Sequence, residues 1–551
     1  MYSNKENVNI LTALLVAHGV KHAVVCPGSR NSPIVHNLNE CPDITCYPVT
    51  DERSAGFYAL GMALCEAEPV AVCVTSGTAL LNLAPAVAEA YYQHVPLVVI
   101  SADRPPQWID QLDGQTLPQP DALGRFVKKA VSLPEPHNDE ERWYCNRLVN
   151  EALIVRHAPV HINVPITEPL FDFSVTALPH ERKIESLLME FSKNVGEAIA
   201  ARIVRAQRPM IVMGQLQKDI FNEVDIGYLS SGGLCIVCES MTADFCATNI
   251  DEVVYMIDDD ESYSPDFVLY IGGALVSKRL KAFLRKSDAE LWMVNTDGSV
   301  QDVSGHLTKI IQCSEEMLNK VIPYVEVSPA FQHKWMEAVS RVTSHLEAYV
   351  PEYSQMAAVK CFEGMVGRAP YGFEPPLYNS SFHYANSSAI RLANIYAKHY
   401  VYCNRGVNGI EGSLSTAAGF SVVSDDDQVF CVIGDLSFFY DQNALWNQNL
   451  RGNLRILLLN NGKGGIFNML KGLEQSPARD KFVAAGHHTT AEGICQQNGV
   501  KYLKASNMEE VQEGIDTLIN IESEHPVLLE VFTDAAEDER VFKAYYKSIK
   551  L

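Results

Sequence analysis

The sequence is short of positive charge. Its 551 residues include 44 Lys and Arg against 67 Asp and Glu, which gives a formal net charge of −23. Nucleic acid and anionic membrane surfaces repel so acidic a chain, and we expect neither as a partner. Any anionic substrate must therefore be bound by a local cluster of basic side chains.

Long apolar runs and His/Cys metal spacing are also missing. The apolar stretch Ile10–Val20 could pass for the core of a secretion signal. Cleavage there would disrupt the strand expected at His22–Cys26, so a first amphipathic helix fits better. No other run reaches the length of a transmembrane helix. The cysteines lie mostly in apolar runs, as Cys73, Cys235 and Cys431 do, which predicts buried free thiols and a cytoplasmic protein.

Strands and helices alternate along most of the chain, which is typical of parallel α/β sheets. The length allows about three domains. We predict three parallel-sheet α/β domains, at residues 1–178, 185–345 and 370–551. The predicted strands are Lys21–Cys26, Cys46–Val49, Val70–Val74, Leu97–Ile100, Val160–Val164, Met210–Met213, Leu234–Val237, Phe267–Ile271, Leu291–Val294, Val429–Ile433 and Leu454–Leu459.

The last two of these strands carry the most informative pattern. Asp435 follows the first of them and Asn461 follows the second, with a helix predicted between them at Phe438–Leu450. Two parallel strands joined by a crossover helix place Asp435 and Asn461 side by side on the carboxyl edge of one sheet, where open α/β sheets bind ligands. A carboxylate and an amide oxygen are hard ligands that suit Mg²⁺.

Each half of this pattern also has an ordinary explanation. An Asp after a strand is often only a helix N-cap, and Asn-Asn-Gly is often only a turn. The two halves together, 26 residues apart and flanked by glycines, favour a metal site. The stretch resembles the diphosphate and Mg²⁺ motif of thiamine-diphosphate enzymes, GDG and then NN, with Leu436 in place of the third-position glycine.

The resemblance implies the residues that bind this cofactor. Gly434, Asp435, Leu436, Ser437 and Asn461 would contact the diphosphate and its metal, Mg²⁺ or Mn²⁺. The nominated metal ligands are Asp435, Asn461 and Lys463.

Glu52 and Ile410 match two further positions of these enzymes. The family places a catalytic glutamate after the second strand of the first domain, where it shares a proton with the pyrimidine ring, and Glu52 stands there. A bulky apolar residue supports the bent cofactor, and Ile410 lies between Gly409 and Gly412. Taken alone, Glu52 could be an acid in a first helical turn, and Ile410 a core residue beside a turn.

Seven segments together narrow the resemblance. They are similar to the 2-succinyl-5-enolpyruvyl-6-hydroxy-3-cyclohexene-1-carboxylate synthase family of menaquinone biosynthesis, over the whole chain. Its members have a pyrimidine domain, a central domain and a diphosphate domain, and the resemblance favours a homodimer or homotetramer with the cofactor at the subunit interface. The segments are Pro27-Gly28-Ser29-Arg30, Thr50-Asp51-Glu52-Arg53-Ser54, Thr75-Ser76-Gly77-Thr78-Ala79, Ser101-Ala102-Asp103-Arg104-Pro105-Pro106, Asn404-Arg405-Gly406, Gly409-Ile410-Glu411-Gly412 and Gly434-Asp435-Leu436-Ser437.

The family's reaction implies a cationic substrate site. 2-Oxoglutarate is decarboxylated, and the resulting succinic-semialdehyde carbanion adds to isochorismate in a 1,4-addition. Both substrates are dicarboxylates, and arginine matches carboxylate geometry best. By resemblance the substrate-binding residues are Ser29, Arg30, Arg104, Gln115, Lys278, Arg279, Ser387, Arg391 and Arg405, with an apolar wall of Ile466, Phe467 and Leu470.

Two other functions remain open at this stage. One is a different thiamine-diphosphate enzyme, an acetolactate-synthase-like or other 2-oxoacid decarboxylase, which would be expected to keep the GDG form of the motif. The other is a non-catalytic dimeric binding protein that retained the fold, although Glu52, Asp435 and Asn461 are all present. Each basic residue, taken alone, is explained as well by a surface or structural role. His487 and His488 have no assigned role.

Overall fold

The computed structural model describes residues 1–186, 193–244, 249–258, 260–315, 325–367, 379–465 and 472–550. Three parallel β-sheets, each with helices packed on it, organise this part of the chain. The predicted class, three parallel-sheet α/β domains, is confirmed.

The first sheet has the strand order β2-β1-β3-β4-β6-β5. Every residue of β3 and β4 is buried, as their apolar sequences predict. The sequence did not reveal β5, since this edge strand is only partly buried and has no apolar run. The elements are α1 (Glu6–Ala17), β1 (His22–Val25), α2 (Ser32–Glu40), β2 (Thr45–Pro48), α3 (Glu52–Glu66), β3 (Val70–Val74), α4 (Thr78–Asn82), α5 (Ala84–Tyr92), β4 (Leu97–Asp103), β5 (Lys129–Ser132), α6 (Asp139–Leu153) and β6 (Val160–Pro165).

The second sheet has the order β11-β10-β9-β7-β8. The sequence did not predict its edge strand β11, where polar and apolar residues mix. The elements are α7 (Lys193–Arg205), β7 (Pro209–Met213), α8 (Glu223–Ser231), β8 (Cys235–Cys238), α9 (Ile250–Ile257), β9 (Phe267–Ile271), α10 (Lys278–Lys286), β10 (Glu290–Asn295) and β11 (Leu307–Gln312), followed by α11 (Ala330–Ala348) and α12 (Gln355–Val366).

The third sheet has the order β12-β13-β14-β16-β15, and α12 packs against its helices α13, α17 and α18. Its central strands β13 and β14 are the two that the sequence predicted. The elements are β12 (Ser380–Tyr384), α13 (Ser388–Tyr396), α14 (Ser413–Val423), β13 (Gln428–Gly434), α15 (Asp435–Tyr440), β14 (Leu454–Asn460), α16 (Glu492–Gln497), β15 (Lys501–Ala505), α17 (Met508–Asn520), β16 (Val527–Phe532) and α18 (Ala535–Ile549).

The helix predicted at Phe438–Leu450 is wrong. Helix α15 ends at Tyr440 and only a short 3-10 turn, Gln442–Leu445, follows. The buried Asp441 carboxylate accepts hydrogen bonds from the Ser415 backbone N–H (2.7 Å) and hydroxyl (2.8 Å). This tie to α14 turns the chain away from the path of a continuing helix.

Helices α3 and α14 hold the first and third sheets together. Glycines make the contact close: a Cβ on Gly61 would lie 2.0 Å from the Thr416 carbonyl oxygen, and one on Gly419 would lie 2.2 Å from the Tyr58 carbonyl oxygen. Helix α3 begins with Glu52, so this packing fixes the position of a predicted catalytic residue.

The cysteines and helices test two further expectations. Most cysteines of the described residues are free thiols and many are buried, Cys73, Cys235 and Cys431 among them. Cys238 is disulfide-bonded, so the expectation of free thiols is wrong for this residue. None of the helices in the described ranges is long and apolar enough to cross a membrane.

Candidate active site

Asp435 and Asn461 lie together at the carboxyl edge of the third sheet, as the sequence predicts. Strands β13 and β14 are parallel neighbours, with Gly434 opposite Leu459. The Oδ2 atom of Asp435 accepts hydrogen bonds from the backbone N–H groups of Asn461 (3.1 Å) and Gly462 (2.8 Å). The parallel crossover has therefore joined the two halves of the motif into one site.

The chemistry of this edge fits a divalent cation. Burial raises the pKa of the Asp435 carboxyl group, and a cation at this edge would offset the cost of burying its charge. The Asn461 side-chain oxygen offers a second hard ligand. The Lys463 side chain is an ammonium group, which has no lone pair for a metal and lies 3.6 Å from Asp480. Of Lys463, therefore, the backbone carbonyl is the group that fits a metal.

The space beside the motif is open. A Cβ built on Gly434 meets no atom within 4 Å, whereas Ser437 is buried in the first turn of α15. Leu436 donates its backbone N–H to Asp435 Oδ1 (2.7 Å). No group of three His, Cys, Asp or Glu side chains with metal-binding geometry occurs in the described ranges. The carboxylate and amide oxygens of Asp435 and Asn461, beside the open space at Gly434, fit a diphosphate with its cation.

His487, which has no role assigned from the sequence, lies beside Asp435. Its Nε2 atom lies 3.4 Å from Asp435 Oδ2 and makes no hydrogen bond within the described residues. The Thr489 backbone N–H donates to His487 Nδ1 (3.1 Å), which leaves the ring proton of the neutral imidazole on Nε2. The neighbouring His488 remains without a role.

Glu52 is half-buried at the start of α3. Its Oε2 atom accepts a hydrogen bond from Asn82 Nδ2 (3.1 Å). Its neighbour Arg53 donates to the Tyr440 carbonyl oxygen (2.7 Å) at the end of α15. In the described part of one chain, no hydrogen bond joins Glu52 to Asp435 or Asn461. Ile410 is 43% exposed, so it is not the core residue that its apolar character alone would suggest.

Three predicted basic residues line one cavity. Lys278, Arg279 and Arg391 border a space of about 300 Å³ between the start of α10 and helix α13. Arg391 also borders a smaller space of about 40 Å³ that reaches Asn461. Arg391 thus lies between the predicted substrate residues Lys278 and Arg279 and the sheet edge at Asn461.

The charges in this cavity are not equivalent. Asp251 accepts a hydrogen bond from the Arg279 guanidinium, which lies over the Tyr546 ring at 4.3 Å from its centroid. Arg391 instead donates only to the Ser387 carbonyl oxygen (2.8 Å) among its described neighbours. Burial, with the nearby Arg405 charge, lowers the pKa of Arg391. Lys278 is exposed and forms no ion pair within the described residues. Arg391 and Lys278 are therefore the better placed to attract an anion.

Buried carboxylates hold the loops that carry the basic residues. Glu89 accepts hydrogen bonds from the backbone N–H groups of Gly406 (2.6 Å) and Val407 (2.7 Å), next to Arg405. Glu239 accepts from Val276 (2.6 Å) and Ser277 (2.7 Å), just before Lys278. The sequence held no sign of either contact.

Arg405 lies on a different cavity from Arg391. It is 9% exposed, and its guanidinium donates to Asn386 Oδ1 (3.0 Å). It borders a space of about 480 Å³ between the three sheets. Its positive charge nevertheless contributes to the lowered pKa of Arg391.

The predicted residues of the first domain form a separate group. Arg30 donates to the Ile166 carbonyl oxygen (3.0 Å) and pairs with Glu168 (3.1 Å). Arg104 donates to the Gly114 carbonyl oxygen (3.1 Å) and pairs with Asp113 (2.9 Å). Ser29 and Gln115 lie nearby, and both are exposed.

No hydrogen bond or ion pair joins this first-domain group to Lys278, Arg279, Ser387, Arg391 or Arg405 within the described ranges. The predicted apolar wall of Ile466, Phe467 and Leu470 lies outside the described residues.

Comparison with known proteins assigns the family. Residues 6–123 match the thiamine pyrophosphate enzyme, N-terminal TPP binding domain, and residues 385–531 match the corresponding C-terminal domain. Proteins of Bacteroides thetaiotaomicron and Bacteroides fragilis, both named 2-succinyl-5-enolpyruvyl-6-hydroxy-3-cyclohexene-1-carboxylate synthase, are 44% identical over the full length of both chains. The chain belongs to this synthase family. A protein of the same name from Phocaeicola vulgatus is 43% identical over 100% of this chain and 99% of its own.

The family assignment divides the site residues into three groups. Glu52 and the first-domain residues lie in the matched N-terminal TPP binding domain of this synthase-family chain. Arg391, Asp435 and Asn461 lie in the matched C-terminal domain. Lys278 and Arg279 fall between the two matched segments, at the start of helix α10 beside the second sheet. As in other thiamine-diphosphate enzymes, the cofactor-binding domains flank a third domain.

Proposed function

We propose that this chain binds thiamine diphosphate with Mg²⁺ or Mn²⁺ and joins 2-oxoglutarate to isochorismate. 2-Oxoglutarate loses CO₂, and its remaining four-carbon unit adds to isochorismate. The product is the cyclohexene carboxylate of the family name, an intermediate of menaquinone biosynthesis. The observation that carries this proposal is the Asp435–Asn461 edge, because Arg391 borders both a small space that reaches Asn461 and the cavity that Lys278 and Arg279 line.

The diphosphate end of the cofactor would be held by the third domain. Asp435, Asn461 and the Lys463 carbonyl would bind the metal. Gly434, Leu436 and Ser437 would line the diphosphate. We assign residues 1–178, 185–345 and 370–551 to the pyrimidine, central and diphosphate domains. When bound, thiamine diphosphate would supply a nucleophilic carbon for the keto group and a cationic ring that takes up the electrons released by decarboxylation.

Glu52 would hold a proton at the pyrimidine nitrogen, and Ile410 would support the cofactor in its bent shape. In the described part of one chain Glu52 makes no contact with the metal edge. We therefore propose a homodimer or homotetramer in which each active site is completed by a partner copy.

The basic residues would bind the carboxylates of the two substrates. Lys278 and Arg391 are placed to act directly, since neither forms an ion pair within the described residues. Asp251 already balances the charge of Arg279, so its role would be to shape the cavity. Arg405, Ser387 and the first-domain group of Ser29, Arg30, Arg104 and Gln115 would complete the substrate site. We place this reaction in the cytoplasm.

The test is product formation by purified protein. Protein, thiamine diphosphate, Mg²⁺ and 2-oxoglutarate are incubated with and without isochorismate, and CO₂ and products are measured by mass spectrometry. We expect the cyclohexene carboxylate only when both substrates and both cofactors are present. A parallel incubation replaces 2-oxoglutarate with pyruvate, and release of CO₂ with formation of acetolactate there would instead favour the acetolactate-synthase-like function. Absence of any thiamine-diphosphate binding would favour a non-catalytic protein.

A further inference from the structure

The value of Asn461 as a metal ligand depends on which end of its amide faces the metal. The oxygen and the NH₂ group are nearly equal in size, but only the oxygen can bind a cation. The end that faces the metal is set by the group that holds the other end. This inference rests on the proposed metal site and adds a residue to it.

Asp538 holds the NH₂ end. Asn461 Nδ2 donates a hydrogen bond to Asp538 Oδ2 (2.9 Å). An ionised carboxylate only accepts hydrogen bonds, so it cannot bind the amide in the reverse orientation. The Asn461 oxygen is thereby turned towards the Gly462–Lys463 loop, where the Lys463 backbone N–H lies 3.3 Å away.

The Asp538 carboxylate is itself fixed by two other elements. Its Oδ1 atom accepts a hydrogen bond from the Gln355 backbone N–H (2.8 Å), at the first residue of α12. Its Oδ2 atom also accepts from the Thr533 hydroxyl (2.9 Å). Asp538 lies in the first turn of α18, beyond the segment that matches the C-terminal TPP binding domain. Three contacts therefore leave this carboxylate little freedom to move.

We propose that Asp538 is a positioning residue that orients Asn461 for metal binding. Its carboxylate would keep the Asn461 oxygen at the metal without touching the metal or the substrate. The role depends on the direction of one hydrogen bond. Substitutions that barely change the shape of the site can reverse the direction of this hydrogen bond and so test the role.

The decisive substitution is Asp538→Asn. The introduced amide must turn its oxygen to the fixed Gln355 N–H, so its NH₂ group faces Asn461. Two NH₂ groups then oppose each other, and Asn461 relieves the conflict by turning its own NH₂ group towards the metal. We expect Mn²⁺ to bind at least about tenfold more weakly in the presence of thiamine diphosphate, measured by the electron paramagnetic resonance signal of free Mn²⁺.

A swapped pair distinguishes orientation from simple damage. In the double variant Asn461→Asp with Asp538→Asn, the amide and the carboxylate exchange places. The relocated amide donates its NH₂ group to the relocated carboxylate, and its oxygen accepts from the Gln355 N–H. Every hydrogen bond again has a donor and an acceptor, and the metal is offered a carboxylate oxygen. We expect Mn²⁺ affinity to return to within about threefold of wild type. Should Asp538→Asn alone fail to fold, the swapped pair still decides the question.

The matched control is Asp534→Ala. Asp534 caps the same helix by accepting hydrogen bonds from the Ala536 (2.8 Å) and Glu537 (3.1 Å) backbone N–H groups, and it makes no contact with Asn461 in the described residues. Its loss should lower the melting temperature but leave Mn²⁺ affinity within about twofold of wild type, because only the helix end is weakened.

Three results would overturn the inference: unchanged Mn²⁺ affinity in Asp538→Asn, a folded swapped pair that binds Mn²⁺ no better than Asp538→Asn, or an equal loss in Asp534→Ala. Asp435→Ala separates this inference from the proposed function. If Asp435→Ala loses Mn²⁺ affinity and Asp538→Asn does not, only the role of Asp538 is wrong. If Asp435→Ala binds Mn²⁺ normally, the proposed metal site itself is wrong.

Discussion

Arg391 offers the sharpest test of the substrate site. We predict that Arg391→Met raises the apparent Michaelis constant for 2-oxoglutarate or for isochorismate while leaving thiamine-diphosphate binding nearly intact. Methionine keeps much of the length and apolar packing of the side chain but removes its charge. The substitution therefore tests the guanidinium rather than the shape of the cavity.

The expected size follows from the partners of Arg391. Its guanidinium donates to one carbonyl oxygen and has no carboxylate within ion-pair distance in the described ranges. A hydrogen bond to a charged group contributes about 1.5–3 kcal/mol. A substrate carboxylate lost from this position therefore costs about ten- to a hundredfold in apparent affinity. Arg279 is different, since its charge is already paired with Asp251.

The assay is steady-state kinetics with each substrate varied at saturating concentration of the other, alongside calorimetric titration with thiamine diphosphate. Arg285→Met is the matched control: Arg285 lies on α10, is exposed, and donates to the Val303 carbonyl oxygen (3.1 Å) away from the cavity. It removes the same charge and should change neither constant. If Arg391→Met behaves like Arg285→Met, Arg391 does not bind a substrate carboxylate.

Three other predictions concern activation, the metal and the fold. Glu52→Gln keeps the size of the side chain but cannot share a proton with the cofactor. The kcat should therefore fall by about two to four orders of magnitude while calorimetry shows normal cofactor binding. Near-normal turnover would show that Glu52 is only an acid at the start of a helix. Asp435→Ala should weaken Mg²⁺-dependent binding of thiamine diphosphate about tenfold or more, and Asn461→Ala less, because a neutral ligand is lost. Gly419→Ala places a Cβ 2.2 Å from a backbone oxygen, which should cost about 1–3 kcal/mol and lower the melting temperature. In the control Gly364→Ala, the added methyl group meets open space in α12 and should not destabilise the protein. Equal melting temperatures for Gly419→Ala and Gly364→Ala would show that the α3–α14 contact is not tight.

The meeting of Asp435 and Asn461 is predictable from the sequence because it depends on two buried strands and the crossover between them. The mainly apolar runs in β13 and β14 predict buried strands. A parallel crossover places the carboxyl ends of both strands at one edge, which brings Asp435 and Asn461 together. The edge strands β5, β11 and β15 were not predicted, because a half-exposed strand needs no apolar run. The prediction of a helix at Phe438–Leu450 was wrong because the Asp441 carboxylate binds the backbone of α14.

The contacts that tune the site are not predictable in the same way. Asp538 contacts Asn461 across 77 residues of sequence, and Glu89 contacts Gly406 across 317. No motif or period records such pairs. The pairing of Arg279 with Asp251 likewise changes the meaning of a basic residue that the resemblance nominates. Residue type alone shows that a cation is present, but only the structure shows whether its charge is already balanced.

The proposed reaction requires a site that takes two dicarboxylates in an acidic protein. The most direct test compares 2-oxoglutarate with pyruvate, which lacks the distal carboxylate, as the donor to isochorismate in the wild-type enzyme. One lost charged hydrogen bond is worth about 1.5–3 kcal/mol, so kcat/KM for 2-oxoglutarate should exceed that for pyruvate by at least about tenfold. Equal kcat/KM values for the two donors would contradict the dicarboxylate site.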